Sequence, residues 1–132
     1  MAHKMIATES APKAIGPYSQ AIAVPLGQGT MIFCSGQIPL SYATGEMVGA
    51  GDVRAQTKQV MENLGAVLKA AGADFSRVVR TTIFLADLGD FGAVNEIYGS
   101  HFKEAPPARA TVQVAGLPRG ALVEIDAIAV IS

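Results

Sequence analysis

The spacing of apolar residues divides the chain into segments typical of strands and segments typical of helices. Two short apolar runs, at 19–24 and 31–35, flank the glycine-containing stretch 25–29. This arrangement predicts two antiparallel strands joined by a hairpin connection. The next stretch, 37–51, contains a proline and three glycines. It is therefore predicted to be a long loop with at most a short strand, near a binding site or a subunit contact.

Two later segments carry apolar residues at helical spacing. Asp52 is predicted to cap the first helix and Gly72 to stop it. The apolar face predicted for this helix consists of Val53, Thr57, Val60, Met61, Leu64, Val67, Leu68 and Ala71. Asp90 is predicted to cap the second helix, and the pair Pro106-Pro107 to end it. The apolar positions of the second helix are Phe91, Val94, Ile97, Tyr98 and Phe102.

Three further segments have the composition of strands. The stretch 77–86 is rich in β-branched residues, and 108–115 and 121–131 flank a short connection at 116–120. The resulting order of elements favours a single α+β domain over 1–132, with a mostly antiparallel sheet and two helices on one face. Because Ile125 and Ile128 lie on opposite sides of the last strand, the other face of the sheet must also be covered, and self-association is the simplest cover.

The composition favours an oligomer and gives no sign of a polyanionic partner. Half of the 132 residues are hydrophobic and 16% are charged, where about 25% is usual for a soluble domain. Sister subunits are therefore expected to cover part of the surface. The net charge is −1 and the basic residues are scattered, which argues against a nucleic acid or an anionic membrane as partner.

Cys34 is the only cysteine, which excludes an internal disulfide bond and a cysteine-based zinc site. No targeting or membrane-spanning segment is recognisable, so we expect a cytoplasmic protein, or an organellar one if a transit peptide has already been removed. Cys34 itself is predicted to be a small buried hydrophobic residue. His3 and His101 lack the spacing of metal ligands, so no metal site is predicted.

Arg109 is the most informative residue for function. It follows a proline pair at the start of an alternating strand, on a polar side shared with Thr111 and Gln113, while the other side is apolar and predicted to face the core. A guanidinium fixed in a partly dry cleft is suited to binding a carboxylate through two parallel hydrogen bonds. The residue therefore predicts a small organic acid as ligand.

Glu124 and Asp126 share one side of the last strand. If the last two strands form a hairpin with coinciding polar faces, Thr111 lies opposite Glu124 and Arg109 lies opposite Asp126. A slip of one residue would remove this pairing. The alternative interpretation is a cross-strand ion pair that merely satisfies Arg109. Sequence chemistry alone leaves both interpretations open.

Several short motifs occur in order along the chain. They are Gly16-Pro17-Tyr18-Ser19-Gln20-Ala21, Ser35-Gly36-Gln37-Ile38-Pro39-Leu40, Asp90-Phe91 with Val94-Asn95, Pro107-Ala108-Arg109, and Leu117-Pro118 followed by Val123-Glu124-Ile125. With these motifs the chain resembles the RidA (YjgF) family of reactive-intermediate deaminases, from about residue 6 to residue 130 without large gaps.

The resemblance implies a chorismate-mutase-like α+β subunit in a homotrimer, with the sheets forming an inner barrel and three sites at the subunit clefts. The implied reaction is hydrolysis of 2-imino acids and their enamine tautomers, such as 2-iminobutanoate and 2-iminopropanoate, to 2-oxo acids and ammonia. These intermediates are released by pyridoxal-phosphate enzymes, so the reaction would protect such enzymes and metabolism. Neither a metal nor an organic cofactor is implied.

The resemblance also implies roles for individual residues. Arg109 would bind the substrate carboxylate, and Glu124 would position the attacking water as general base. Tyr18, Gly36 and Asn95 match positions that line the family's pocket.

Structural alternatives exist for these three residues: Tyr18 as an interface residue, Gly36 as a turn residue with positive φ, and Asn95 as a solvent-facing helix residue. Thr111 stands where many relatives have cysteine. It keeps a backbone contact to the substrate but cannot supply a thiol.

Other functions use the same fold. A larger enamine such as an aminomuconate could be deaminated in a roomier pocket. A non-catalytic role is the alternative from a different class: binding of 2-oxo acids, a chaperone-like holdase, or the ribonuclease and translation-inhibitor roles assigned to some relatives. The shortage of basic charge speaks against RNA binding, because phosphate contacts supply most of the affinity for nucleic acids.

Overall fold

The computed structural model describes residues 2–132 as one six-stranded sheet with two α-helices. In chain order the elements are β1 (Lys4–Ile6), β2 (Ala21–Leu26), β3 (Gly29–Gln37), α1 (Val53–Ala70), β4 (Val78–Leu85), α2 (Phe91–Gly99), β5 (Ala108–Gln113) and β6 (Val123–Ile131). The strand order is β1-β2-β3-β6-β4-β5, and β4–β5 is the only parallel pair in the described part of the chain. The predicted fold class, an α+β arrangement with a mostly antiparallel sheet and two helices, is confirmed.

Helix α1 follows the sequence prediction at both ends. The Asp52 side chain accepts hydrogen bonds from the backbone N–H groups of Arg54 and Ala55, and Gly72 adopts the positive φ of a helix stop. The apolar residues of its inner face, from Val60 to Leu68, pack against the sheet in the main core. No helix within residues 2–132 is both long and apolar enough to cross a lipid bilayer.

Besides Thr57, which the predicted face includes, two polar residues of α1 are buried that the apolar pattern did not predict. The Asn63 side chain donates to the carbonyl oxygens of Ile38 and Leu40, at 3.2 and 2.9 Å. The Gln56 side chain donates to the Gly49 carbonyl and accepts from the Leu122 backbone N–H. These amides satisfy buried backbone groups and thereby attach the loop 38–52 to the helix.

Helix α2 is shorter than predicted and is capped differently. It ends at Gly99 rather than at the proline pair, and Phe102 follows in a turn against Tyr98. The Asp90 side chain makes no capping hydrogen bond, because Asp90 already belongs to a preceding 3₁₀ turn and lacks the extended backbone of a capping residue. Asp87 caps that turn instead.

The predicted pairing of the last two strands is wrong. β4 lies between β5 and β6, so Thr111 is paired with Ile83 and Glu124 with Phe84. The polar side of β5 faces the helices, and its apolar side, predicted to face the core, faces the opposite way. Arg109 and Asp126 therefore project from opposite faces of the sheet and cannot form the ion pair considered from the sequence.

The sheet face opposite the helices, here called the open face, is apolar along several strands. Phe33, Val112 and Val130 are 41%, 42% and 40% exposed, and Phe84 and Ile128 are half-buried beside them. Ile128 and Val130 of β6 lie on this face, as predicted from the apolar residues on both sides of the last strand. A contiguous exposed apolar surface of this kind is typical of a protein interface.

Replacing Asn63 by Ala is expected to lower the free energy of unfolding by about 2–4 kcal/mol, because the carbonyl oxygens of Ile38 and Leu40 lose their donor while remaining buried. Denaturant unfolding at a fixed protomer concentration measures the change. Glu62→Ala is the matched control, since Glu62 is the exposed neighbour on the same helix and its loss should stay within about 0.5 kcal/mol. Equal effects of the two substitutions would contradict this account.

Candidate functional site

Arg109 projects from β5, an edge strand, toward α2. Its Nη1 donates to the Asn95 Oδ1 at 2.7 Å, and its Cζ lies 5.1 Å from the Tyr98 ring centroid and 5.5 Å from that of Phe91. Among residues 2–132, no carboxylate lies within salt-bridge distance of this guanidinium. The positive charge is half-buried and held by an amide and two rings, with donors left for an anionic ligand.

A cleft of about 480 Å³ opens beside the guanidinium, and we call it the arginine cleft. It is lined by Asn95, Tyr98, Gly99, Phe102, Pro106, Pro107 and Arg109. Its walls combine rings and prolines with the guanidinium, the Asn95 amide and other polar surface. A small carboxylate with an apolar substituent matches this lining, because the charge can meet Arg109 while the rest meets rings and prolines.

Thr111 lies two residues beyond Arg109 on the same side of β5. Its hydroxyl oxygen is buried and has no hydrogen-bond partner within the part of the chain that the structure describes. A buried hydroxyl without a partner is unusual and calls for an explanation. A bound ligand, a water or a neighbouring subunit would each satisfy it.

Glu124 lies on the opposite face of the sheet, on β6. Its carboxyl is half-buried, and burial first and the neighbouring Asp126 second raise the pKa of Glu124 above its ordinary value. Asp126 is itself held by the backbone N–H of Thr82 at 3.1 Å. A carboxylate whose pKa moves toward neutrality is a better proton acceptor for reactions at physiological pH.

Gly36 makes room for the Glu124 carboxyl. A Cβ at position 36 would stand 2.9 Å from the Glu124 Cδ and closer still to its Oε2, so only glycine fits without displacing the carboxyl. The β3–β6 register shifts between Cys34 and Gln37, which places a bulge at this point. Gly36 does not have a positive φ, so the turn interpretation of this glycine is wrong.

Tyr18 completes a second cleft, of about 300 Å³, which we call the glutamate cleft. Its lining consists of Ile15, Tyr18, Ser35, Gly36, Ile38, Pro118 and Glu124. The Tyr18 hydroxyl accepts from the Ile15 backbone N–H at 3.1 Å, which leaves its own proton free to donate. Tyr18 is 46% exposed and therefore also accessible to a neighbouring chain.

The predicted site residues thus fall into two groups on opposite faces of one sheet. The glutamate cleft brings together Tyr18, Gly36 and Glu124, while Arg109 and Asn95 line the arginine cleft. Thr111 lies on the same side of the sheet as Arg109. Asn95 does not simply face solvent, because it accepts a hydrogen bond from the arginine.

The sequence pattern predicted Phe91 and Tyr98 on the apolar face of the helix but did not predict their contact with Arg109. Together with Asn95 they follow an i, i+4, i+7 spacing, which places all three on one side of α2. That spacing, interrupted by an asparagine, was the available signal. Gln20 was also missed: its buried amide bonds the backbone of Thr8, Ala11 and Pro12 and attaches the N-terminal segment beside the glutamate cleft.

The remaining candidate groups lie outside both clefts. Cys34 is buried, and burial first and Asp126 second raise the pKa of its thiol to about 12, so it is unreactive at neutral pH. The His101 ring packs against Phe75 in a tilted arrangement with centroids 4.8 Å apart, and partial burial lowers the pKa of His101. No cluster of three or more His, Cys, Asp or Glu among residues 2–132 could hold a metal ion.

Comparison with known proteins gives consistent matches along the whole chain. A family model described as Endoribonuclease L-PSP matches residues 8–131. Protein DfrA of Myxococcus xanthus is 68% identical over 130 residues, which are 98% of this chain and 97% of that protein. The 2-iminobutanoate/2-iminopropanoate deaminase of Mus musculus is 54% identical over 127 residues, or 96% and 90% of the two chains. E. coli TdcF, in a crystal structure with bound serine, is 44% identical in sequence and superposes with a TM-score of 0.85. The match covers 98% of this chain and 99% of the TdcF chain.

Replacing Glu124 by Gln is expected to raise the free energy of unfolding at neutral pH. Because the pKa of Glu124 is raised in the folded state, its ionised form disfavours folding, and the neutral amide removes this penalty. The gain should shrink as the pH falls through the pKa of Glu124, where the native carboxyl becomes neutral as well. Denaturant unfolding between acidic and neutral pH, at one protomer concentration, measures it.

Glu62→Gln on the exposed side of α1 is the matched control for exchanging a glutamate for its amide. A Glu124→Gln protein that is less stable than the parent at neutral pH, or equally stabilised at every pH, would contradict the assigned pKa direction.

Proposed function

Because the chain belongs to the RidA (YjgF) family, described by its model as Endoribonuclease L-PSP, we propose that it hydrolyses 2-imino acids to 2-oxo acids and ammonia. Each turnover consumes one water: its oxygen bonds to C2 of the imine, and the C2–N bond breaks as ammonia leaves. The hydrolysis needs no cofactor, because C2 of the imine is already electrophilic. The observation that carries the proposal is Arg109, a half-buried guanidinium that lines a small cleft and has one N–H bonded to Asn95.

The active site is proposed to be shared between two copies of the chain. Arg109 and Glu124 project from opposite faces of the sheet, so one chain does not bring both to the same small molecule. Two copies could do so if the arginine cleft of one lay against the glutamate cleft of the other. The apolar open face supports such an association, and the family resemblance makes a homotrimer the expected assembly.

In this shared site Arg109 would bind the substrate carboxylate through two N–H donors and fix the position of C2. The related E. coli structure with bound serine supports a ligand of this size, because serine carries a carboxylate and a nitrogen on the adjacent carbon, as a 2-imino acid does. Asn95 would hold the guanidinium. Thr111, whose buried hydroxyl has no partner within residues 2–132, would contact the ligand or the water from the same strand.

Glu124 would act as general base. In its ionised form it accepts a proton from water as the oxygen attacks C2, and it returns that proton to the nitrogen. It then accepts the second proton, from the new hydroxyl group, as the C2=O bond forms and the C2–N bond breaks, and passes it to the departing nitrogen, which leaves as ammonia. The raised pKa suits both steps, because the two forms are then closer in free energy at neutral pH. Gly36 leaves the space that the carboxyl occupies, and the Tyr18 hydroxyl would donate to substrate or water.

A role in RNA cleavage has less support in the chain itself. The net charge is −1, and Arg109 is the one basic residue among the described residues that line the two clefts, whereas RNA binding draws most of its affinity from contacts between basic residues and phosphates. A non-catalytic binder of 2-oxo acids would use the same arginine without needing Glu124. Separate substitutions at the two positions distinguish that binder from the deaminase.

The proposal is tested by coupling threonine dehydratase to semicarbazide, which traps 2-iminobutanoate, and measuring how far the protein diverts the imine before it is trapped. Arg109→Ala is expected to reduce the diversion rate by about 100-fold or more, because the carboxylate loses a charged bidentate partner. Arg109→Lys should recover only part of it, since an ammonium is a point charge.

Arg54→Ala is the matched control, because Arg54 is an exposed arginine paired with Glu96 outside both clefts, and its loss should leave the diversion unchanged. Glu124→Gln should bind 2-oxobutanoate while losing diversion. A folded wild-type protein that diverts no imine would reject deamination of this substrate, and retained diversion in Arg109→Ala would reject the assigned carboxylate site.

A further inference from the structure

Three side chains on one side of α2 converge on the Arg109 guanidinium. The Asn95 Oδ1 takes one N–H at 2.7 Å, and the Phe91 and Tyr98 rings lie 5.5 and 5.1 Å from the Arg109 Cζ. Both ring distances are within the range of a cation–π contact. An arginine with four rotatable side-chain bonds is thus restrained by three contacts from a single helix.

The two rings differ in how firmly they are held. Tyr98 is 4% exposed, and its hydroxyl forms a buried hydrogen bond of 2.7 Å with the Thr81 hydroxyl. Thr81 is the β4 residue paired with Arg109 across the parallel ladder, so Tyr98 is fixed to the strand beside the arginine. Phe91, by contrast, is 41% exposed and has no polar group to fix it.

We propose that Phe91 and Tyr98 are positioning residues that clamp the Arg109 guanidinium in the orientation that receives a substrate carboxylate, with Thr81 fixing Tyr98. The inference rests on the carboxylate-binding role of Arg109 in the proposed function. It adds two rings and a buried threonine to the functional machinery. Tyr98 also lines the arginine cleft, whereas Phe91 and Thr81 do not.

The clamp would act by preorganisation. A free arginine side chain loses rotamer entropy when it binds a ligand, and a side chain already held in the binding orientation loses less. The rings also exclude water from the flanks of the guanidinium, which strengthens its attraction for a carboxylate. Since Asn95 takes one N–H of Nη1, the remaining donors stay available for bidentate binding.

The test compares Phe91→Leu, which removes a ring at an exposed position, with Phe91→Tyr, which keeps one. Tyr98→Phe keeps the ring and removes only the hydrogen bond to Thr81. Tyr42→Leu is the matched control, because Tyr42 is an exposed aromatic residue in the loop after β3. Two quantities are measured on each folded protein: the NMR order parameter of the Arg109 Nε–H bond, and the Kd for 2-oxobutanoate, a stable 2-oxo acid.

Phe91→Leu is expected to lower the order parameter and weaken 2-oxobutanoate binding by about 5- to 20-fold, and Phe91→Tyr to restore both. Tyr98→Phe should weaken binding by about 2- to 5-fold through the loss of one hydrogen bond. In the deamination assay the same losses should appear in KM more than in kcat. If Phe91 only stabilised the fold, Phe91→Leu would not lower the Arg109 order parameter and raise KM while kcat stayed nearly constant, with both effects reversed in Phe91→Tyr.

The outcomes separate the clamp from the proposed reaction. Ring-dependent binding of 2-oxobutanoate without any deamination would support the clamp and reject the reaction. Deamination with an order parameter and Kd that do not respond to Phe91→Leu would support the reaction and overturn the clamp. Failure of the wild-type protein to bind 2-oxobutanoate would overturn the clamp as well.

Discussion

The position of β4 between β5 and β6 is the constraint on which the rest of the account depends. Side chains paired across neighbouring strands share a face, so the β4–β5 and β4–β6 registers place Arg109 on the helix side of the sheet and Glu124 on the open face. Arg109 lies in a cleft where its positive charge can bind a carboxylate. Glu124 lies in a cleft where its carboxylate can accept a proton from water. The proposal of a shared site between copies follows from this separation.

The surroundings of Glu124 and Arg109 suit a role in ligand binding and proton transfer better than a role in stabilising the fold. Glu124 is half-buried beside a second carboxylate, which disfavours its ionised form, and a glycine rather than a larger residue stands against it. On the other face, an amide and two rings surround Arg109, and no carboxylate of residues 2–132 lies within salt-bridge distance of it. A structural arginine would ordinarily be paired, whereas this one is restrained and left available.

The sequence predicted most of the elements because their signals are local. The Asp52 cap, the Gly72 stop and the glycine-containing hairpin each depend on a few adjacent residues, and the motifs identified the family. Strand order was harder. The connection predicted at 116–120 has the length of a hairpin, but in the structure the connection runs from 114 to 122 and crosses β4. Alternation along β5 shows which residues share a side but not which side faces the helices. The contact of Phe91 and Tyr98 with Arg109 depends on that facing and was therefore missed.

The most direct test of the shared site mixes two variants that are each expected to be inactive. Arg109→Ala and Glu124→Gln chains are unfolded, combined in equal amounts and refolded together, with each refolded alone and the wild-type protein as controls. If every site takes its arginine from one copy and its glutamate from the next, random association restores about a quarter of the wild-type deamination, because one interface in four joins an intact arginine to an intact glutamate. A mixture no more active than the separate variants would contradict the shared site.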